Sequence, residues 1–111
     1  MRTSPGLSIV MSEETRVAVL GIIIENPESV EALNAIVHEY RDIVLGRMGI
    51  PYRQKKINIV SLAVDAPSAV INALSGKIGR LPGITVKTAY AHTSHPSADQ
   101  APKAAPHTPT R

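Results

Sequence analysis

Apolar residues fall along this chain in two rhythms. Arg16 to Ile24 (RVAVLGIII) is a nearly unbroken, β-branched run ending at Glu25-Asn26-Pro27, the pattern of a buried strand. Pro27 suits a first helical position with Asn26 as its cap, and Glu28 and Glu31 then complement the helix dipole. Val30, Leu33, Ile36, Val37 and Tyr40 follow at spacings of three and four, which predicts a helix over 27–40 with one buried stripe. Asp42 to Met48 (DIVLGRM) reads as a shorter strand, and the polar, Pro-containing stretch 49–56 reads as a connection. Ile57 to Val64 (INIVSLAV) reads as a third strand.

The next stretch repeats the first. Ile24-Glu25-Asn26-Pro27-Glu28-Ser29-Val30 and Val64-Asp65-Ala66-Pro67-Ser68-Ala69-Val70 match in type at a constant offset of 40 residues. A second helix over 67–79 places Val70, Ile71, Leu74 and Ile78 inward, with Asp65 as a helix-capping acid, Gly76 and Gly79 as stop signals and Lys77 complementing the dipole. Leu81-Pro82-Gly83 is a turn and Ile84 to Ala91 the last strand. Duplicated strand–helix–strand units predict an α+β, ferredoxin-like β-α-β-β-α-β sandwich: a four-stranded antiparallel sheet, two helices on one face, and the first and third strands at its centre.

Both faces of those central strands are apolar. The first carries Val17, Val19, Gly21 and Ile23 on one side and Ala18, Leu20, Ile22 and Ile24 on the other. The third carries Ile57, Ile59, Ser61 and Ala63 against Asn58, Val60, Leu62 and Val64. Two helices cover only one face, so the other would expose a patch of roughly several hundred Å². Covering it at about 25 cal/mol per Å² favours association by several kcal/mol before the entropy of association is subtracted. A homodimer or homotetramer through the open sheet face is expected.

Composition divides the chain. Of 29 Ile, Val and Leu residues, 26 lie within 15–91. Residues 1–14 read as a flexible extension, 15–91 as the folded domain, and 92–111, rich in Pro, Ala, Ser and Thr, as a disordered tail. The N-terminal stretch resembles neither a secretory signal nor a membrane span, and Met11 is a candidate internal start. The absence of cysteine excludes disulfides, thiolate metal sites and a thiol nucleophile, in keeping with a cytoplasmic protein. The net charge of +3 lacks the dense basic stripe of a nucleic-acid binder, and the central strands have no aromatics on which bases could stack. No direct nucleic-acid or membrane contact is expected.

Chemistry-bearing residues are few. No Ser-His-acid set or acid pair stands at a catalytic spacing, so the protein reads as a non-enzyme without catalytic residues, metal or cofactor. His38 is the core's only histidine and reads as a surface residue at a helix C-terminus. His92, His95 and His107 fall in the tail, where His92-Thr93-Ser94-His95 offers at most adventitious chelation. Ser75-Gly76-Lys77 resembles a phosphate loop only superficially, since it closes a helix instead of opening one. The most unusual stretch is Gly46 to Arg53 (GRMGIPYR). It admits two readings: an anion or small-molecule pocket at a subunit boundary formed by Arg47, Met48, Gly49, Tyr52 and Arg53, or a bulged edge strand protected by charge.

Arg16-Val17-Ala18-Val19-Leu20-Gly21-Ile22, His38-Glu39-Tyr40, Gly46-Arg47-Met48-Gly49-Ile50-Pro51-Tyr52, Val64-Asp65-Ala66-Pro67, Ala73-Leu74-Ser75-Gly76-Lys77 and Leu81-Pro82-Gly83-Ile84 together resemble the family of small iron-only hydrogenase system regulators. Those proteins are ACT-like and similar to the sensor domain of the nickel-responsive repressor. The resemblance implies an ACT-like oligomer that senses a ligand or binds a protein partner in hydrogenase regulation. The alternative is an accessory interaction module for hydrogenase maturation without a small-molecule ligand. Nickel sensing does not carry over, because this core has neither cysteine nor a strand histidine, and no separate DNA-binding segment is recognisable. The loop Glu25-Asn26-Pro27-Glu28 also lacks the glycine common where ACT domains bind amino acids.

Overall fold

A computed structural model describes residues 14–92; the expectations for Met11, the N-terminal extension, His95, His107 and the rest of the tail lie outside the described residues. Four strands and two helices alternate as β1 (Arg16–Ile24), α1 (Val30–Glu39), β2 (Val44–Tyr52), β3 (Ile57–Ala66), α2 (Ser68–Gly79) and β4 (Ile84–Tyr90). The sheet is antiparallel in the order β2-β3-β1-β4, so the two most apolar strands are central. This is the ferredoxin-like arrangement predicted from the duplicated pattern.

The helix-facing side chains form the core. Leu20, Ile22, Leu62 and Val64 are fully buried beneath Leu33 and Val37 of α1 and Ile71, Leu74 and Ile78 of α2. Register explains the segregation: Leu20 pairs with Leu62 and Ile22 with Val60, so every second residue of both strands meets the helices. The intervening residues form the other face, where Val17, Val19, Met48, Ile50 and Tyr52 are all exposed.

Several local expectations are corrected. Pro27–Ser29 is a 3-10 turn, with Asn26 Oδ1 accepting from the Glu28 N–H, and α1 proper begins at Val30. Arg41–Ile43 is also a 3-10 turn, so β2 starts at Val44 and runs through Gly49, Ile50, Pro51 and Tyr52, which the sequence pattern suggests are a connection. Pro51 is tolerated because β2 is an edge strand, where a missing donor need not break the ladder. Asp65 is exposed within β3, opposite Val17, and caps nothing; Pro67 occupies the cap position of α2 without a side-chain bond.

Gly76 lies inside α2 and Gly79 is its last residue, followed by Arg80 in right-handed conformation, so neither serves as a left-handed stop. Gly79 instead permits close helix–sheet packing, since a Cβ there would lie 3.2 Å from Val86 Cγ1. The left-handed glycine is Gly83, with φ +69°. No helix among the described residues is long and apolar enough to cross a membrane.

Candidate functional site

The stretch Gly46 to Arg53 forms most of an edge strand and the start of the hairpin that follows it. A bulge between Val44 and Gly46 inserts Leu45 as an unpaired residue, after which Arg47 pairs with Leu62, Gly49 with Val60 and Pro51 with Asn58. Strand alternation therefore divides the five site candidates. Arg47 and Gly49 face the helices, Met48 and Tyr52 face the open side, and Arg53 begins the 3-10 turn Arg53–Lys55. Within a single copy only Arg47 and Gly49 of the five line a common cleft, because consecutive residues of an extended strand project to opposite faces.

On the helix side, Arg47 and Gly49 border a cleft of about 260 Å³. Ile24 and Val30 contribute its apolar wall from the β1 end and the start of α1, while Pro51 and Asn58 border it across the β2–β3 ladder. Gly49 leaves the hollow unfilled on the strand side. Its position between Arg47 and Pro51 on the helix side carries no side chain, and a Cβ built there would come no closer than 4.0 Å to any neighbour, the carbonyl oxygen of Ile59.

Arg47 is anchored at the rim by donating through one Nη to Asn34 Oδ1 of α1 at 2.6 Å. Among the described residues no carboxylate lies within salt-bridge distance of its guanidinium, so its charge is available to a ligand. The cleft lining holds one cation and no acid. Ile24, Val30, Pro51 and Asn58 were not singled out from the sequence. Asn58 was the legible signal: it is the one amide in the run INIVSLAV, whose only other polar residue is Ser61.

Other polar groups hold the scaffold. Lys77 of α2 bridges to Glu39 at 3.0 Å and lies 5.1 Å from the centre of the Tyr40 ring, joining the ends of the two helices. The hydrogen bond to Glu39, with Tyr40 beside it, holds the pKa of its ammonium above the ordinary value. Arg16 stacks 4.4 Å from the centre of the Tyr90 ring and donates to the Ala91 carbonyl at 3.0 Å, tying β1 to the end of β4. His38 is exposed in the last turn of α1. No group of three or more His, Cys, Asp or Glu among the described residues is placed to hold a metal ion.

This fold and chain match known proteins closely enough to place it. Residues 16–88 match the TM1266-like family, described as "Iron-only hydrogenase system regulator, putative". No curated protein matches the chain. Among solved structures, the uncharacterized protein TM1266 from Thermotoga maritima is similar at 30% identity and a TM-score of 0.66, over 68% of this chain and 96% of that one. The family match spans β1, both helices, the GRMGIPY edge strand and most of β4, and the chain belongs to the TM1266-like family.

Proposed function

We propose that this chain is a non-catalytic regulatory module of the iron-only hydrogenase system, assembled in the cytoplasm as a homo-oligomer through its open sheet face and responsive to a small effector. The open face carries the reading. Val17, Val19, Met48, Ile50 and Tyr52 stand exposed beside the half-buried Ile23, Ile57 and Ile59, with the charged side chains Asp65, opposite Val17, and Lys87 of β4 toward its margins. A contiguous aliphatic surface of this kind marks an interaction site on a soluble protein. A second copy can supply the same aliphatic chemistry around a two-fold axis.

A regulator with few reactive groups acts by binding, and an effector alters its output only by favouring one assembly or conformation over another. The cleft beside Arg47 gives such an effector a location on the helix side, away from the sheet face that the oligomer covers. Light scattering on the purified chain at micromolar concentration tests the assembly, with a dimeric or tetrameric mass expected and a monomeric mass overturning it. A thermal-shift panel of amino acids, nucleotides, metals and S-adenosylmethionine tests the effector. No shift with any of them, together with co-purification of a maturation protein, would favour an accessory module that contacts only a protein partner.

A further inference from the structure

The cleft has a chemistry of its own. Its walls are aliphatic, its single charged lining residue is Arg47, and Asn58 supplies an amide across the strand pair. Its volume of about 260 Å³ exceeds the roughly 150 Å³ cavity that takes up benzene and falls below the usual range for drug-sized ligands. A guanidinium at the rim selects a planar anion, and a carboxylate matches its paired donors. The Asn34 bond holds the Arg47 side chain against α1 and leaves its other donors for a ligand.

An amino acid fits less well, because its ammonium would enter beside a cation with no carboxylate in the lining to receive it. We propose that the cleft between β2 and the start of α1 binds a small aliphatic monocarboxylate lacking an α-ammonium group. Its carboxylate sits on Arg47 and its hydrocarbon body lies over Gly49 against Val30 and Ile24. This deepens the effector reading and rests on it.

Nitrogen-15 NMR of the full chain, titrated with isovalerate, isoamyl alcohol and leucine, tests the assignment. Isovalerate is expected to move the amides of Gly49, Val30 and Asn58, with the alcohol and leucine each weaker by roughly tenfold or more. R47Q should weaken isovalerate by roughly 10- to 100-fold while leaving the weak alcohol response unchanged. G49L should abolish both by filling the hollow, and the open space around Gly49 lets it fold.

Isovalerate shifts that survive G49L, or leucine binding as tightly as isovalerate, would overturn the proposal. Should G49L fail to fold, the R47Q comparison decides alone, and equal isovalerate affinity in R47Q and the parent is the overturning result. Binding of a nucleotide or amino acid at amides remote from Gly49, without isovalerate binding, would overturn the cleft assignment and leave the effector reading standing. Absence of binding by every compound would overturn both.

Discussion

Ser29 Oγ donates a 2.6 Å hydrogen bond to the carbonyl oxygen of Pro82, joining the passage from β1 into α1 to the turn before β4 across 53 residues. Ser29 is the buried polar side chain among the described residues. The tie is reinforced by the Glu25 N–H, which donates to the Gly83 carbonyl at 2.7 Å. Although Ser29 occupies the cap position of α1, its side chain makes no capping bond there. Ser29→Ala therefore reports the cross-chain tie and not a lost cap. It should cost about 1 kcal/mol by removing this part-buried hydrogen bond, read as a lower urea midpoint at unchanged slope.

Gly83→Ala should cost more. The residue sits at φ +69°, and a Cβ there would lie 2.5 Å from Asn26 Cβ and 2.9 Å from the Asn26 backbone nitrogen. Left-handed strain alone is worth about 1–2 kcal/mol, and the clash adds to it. Thermal unfolding should therefore rank Gly83→Ala below Ser29→Ala, and the reverse order would mean that the turn moves easily.

The two faces of the central strands separate folding from the proposed assembly. Leu62 is fully buried opposite Leu20, so Leu62→Ala should lower stability by about 2–5 kcal/mol at any protein concentration. Val19, a neighbour on β1 but 41% exposed on the open face, should behave differently. Val19→Asp is expected to give a monomer with unchanged far-ultraviolet circular dichroism, because it places a charge in the proposed oligomer interface without entering the core. An oligomer of undiminished mass in Val19→Asp would remove this face from the assembly.

The Lys77–Glu39 bridge makes a pH-dependent prediction of known sign. The Lys77 value in the folded chain lies above 10.5, so the stabilisation is complete below that pH and is lost as pH rises through the folded value. Both side chains are substantially exposed, at 41% and 58%, so the pair contributes little. Lys77→Met should change the melting temperature only slightly. That difference should stay constant between about pH 6 and 9 and shrink only in more alkaline solution. A difference that varied across the neutral range would assign the effect to another group.

The sequence by itself determined the order of elements, the central place of β1 and β3 and the division of their side chains between two apolar faces. Each of these follows from local periodicity and from a duplication readable as an offset of 40 residues. It did not determine how far β2 extends, because Pro51 is a breaker in isolation and acceptable only once the strand is known to lie at a sheet edge. That uncertainty hid the alternation along Gly46 to Arg53. Arg47 and Met48, adjacent in the chain, belong to opposite faces, and only the pairing of β2 with β3 decides which faces the helices.

The cleft was decided by tertiary structure for the same reason. Its walls come from Ile24, Val30, Gly49 and Asn58, four residues on separate elements, and a hollow is a relation among elements that no single stretch of chain encodes. The tie between Ser29 and Pro82 is likewise invisible to periodicity, since a serine at a helix start looks like a cap until the opposite turn is folded against it.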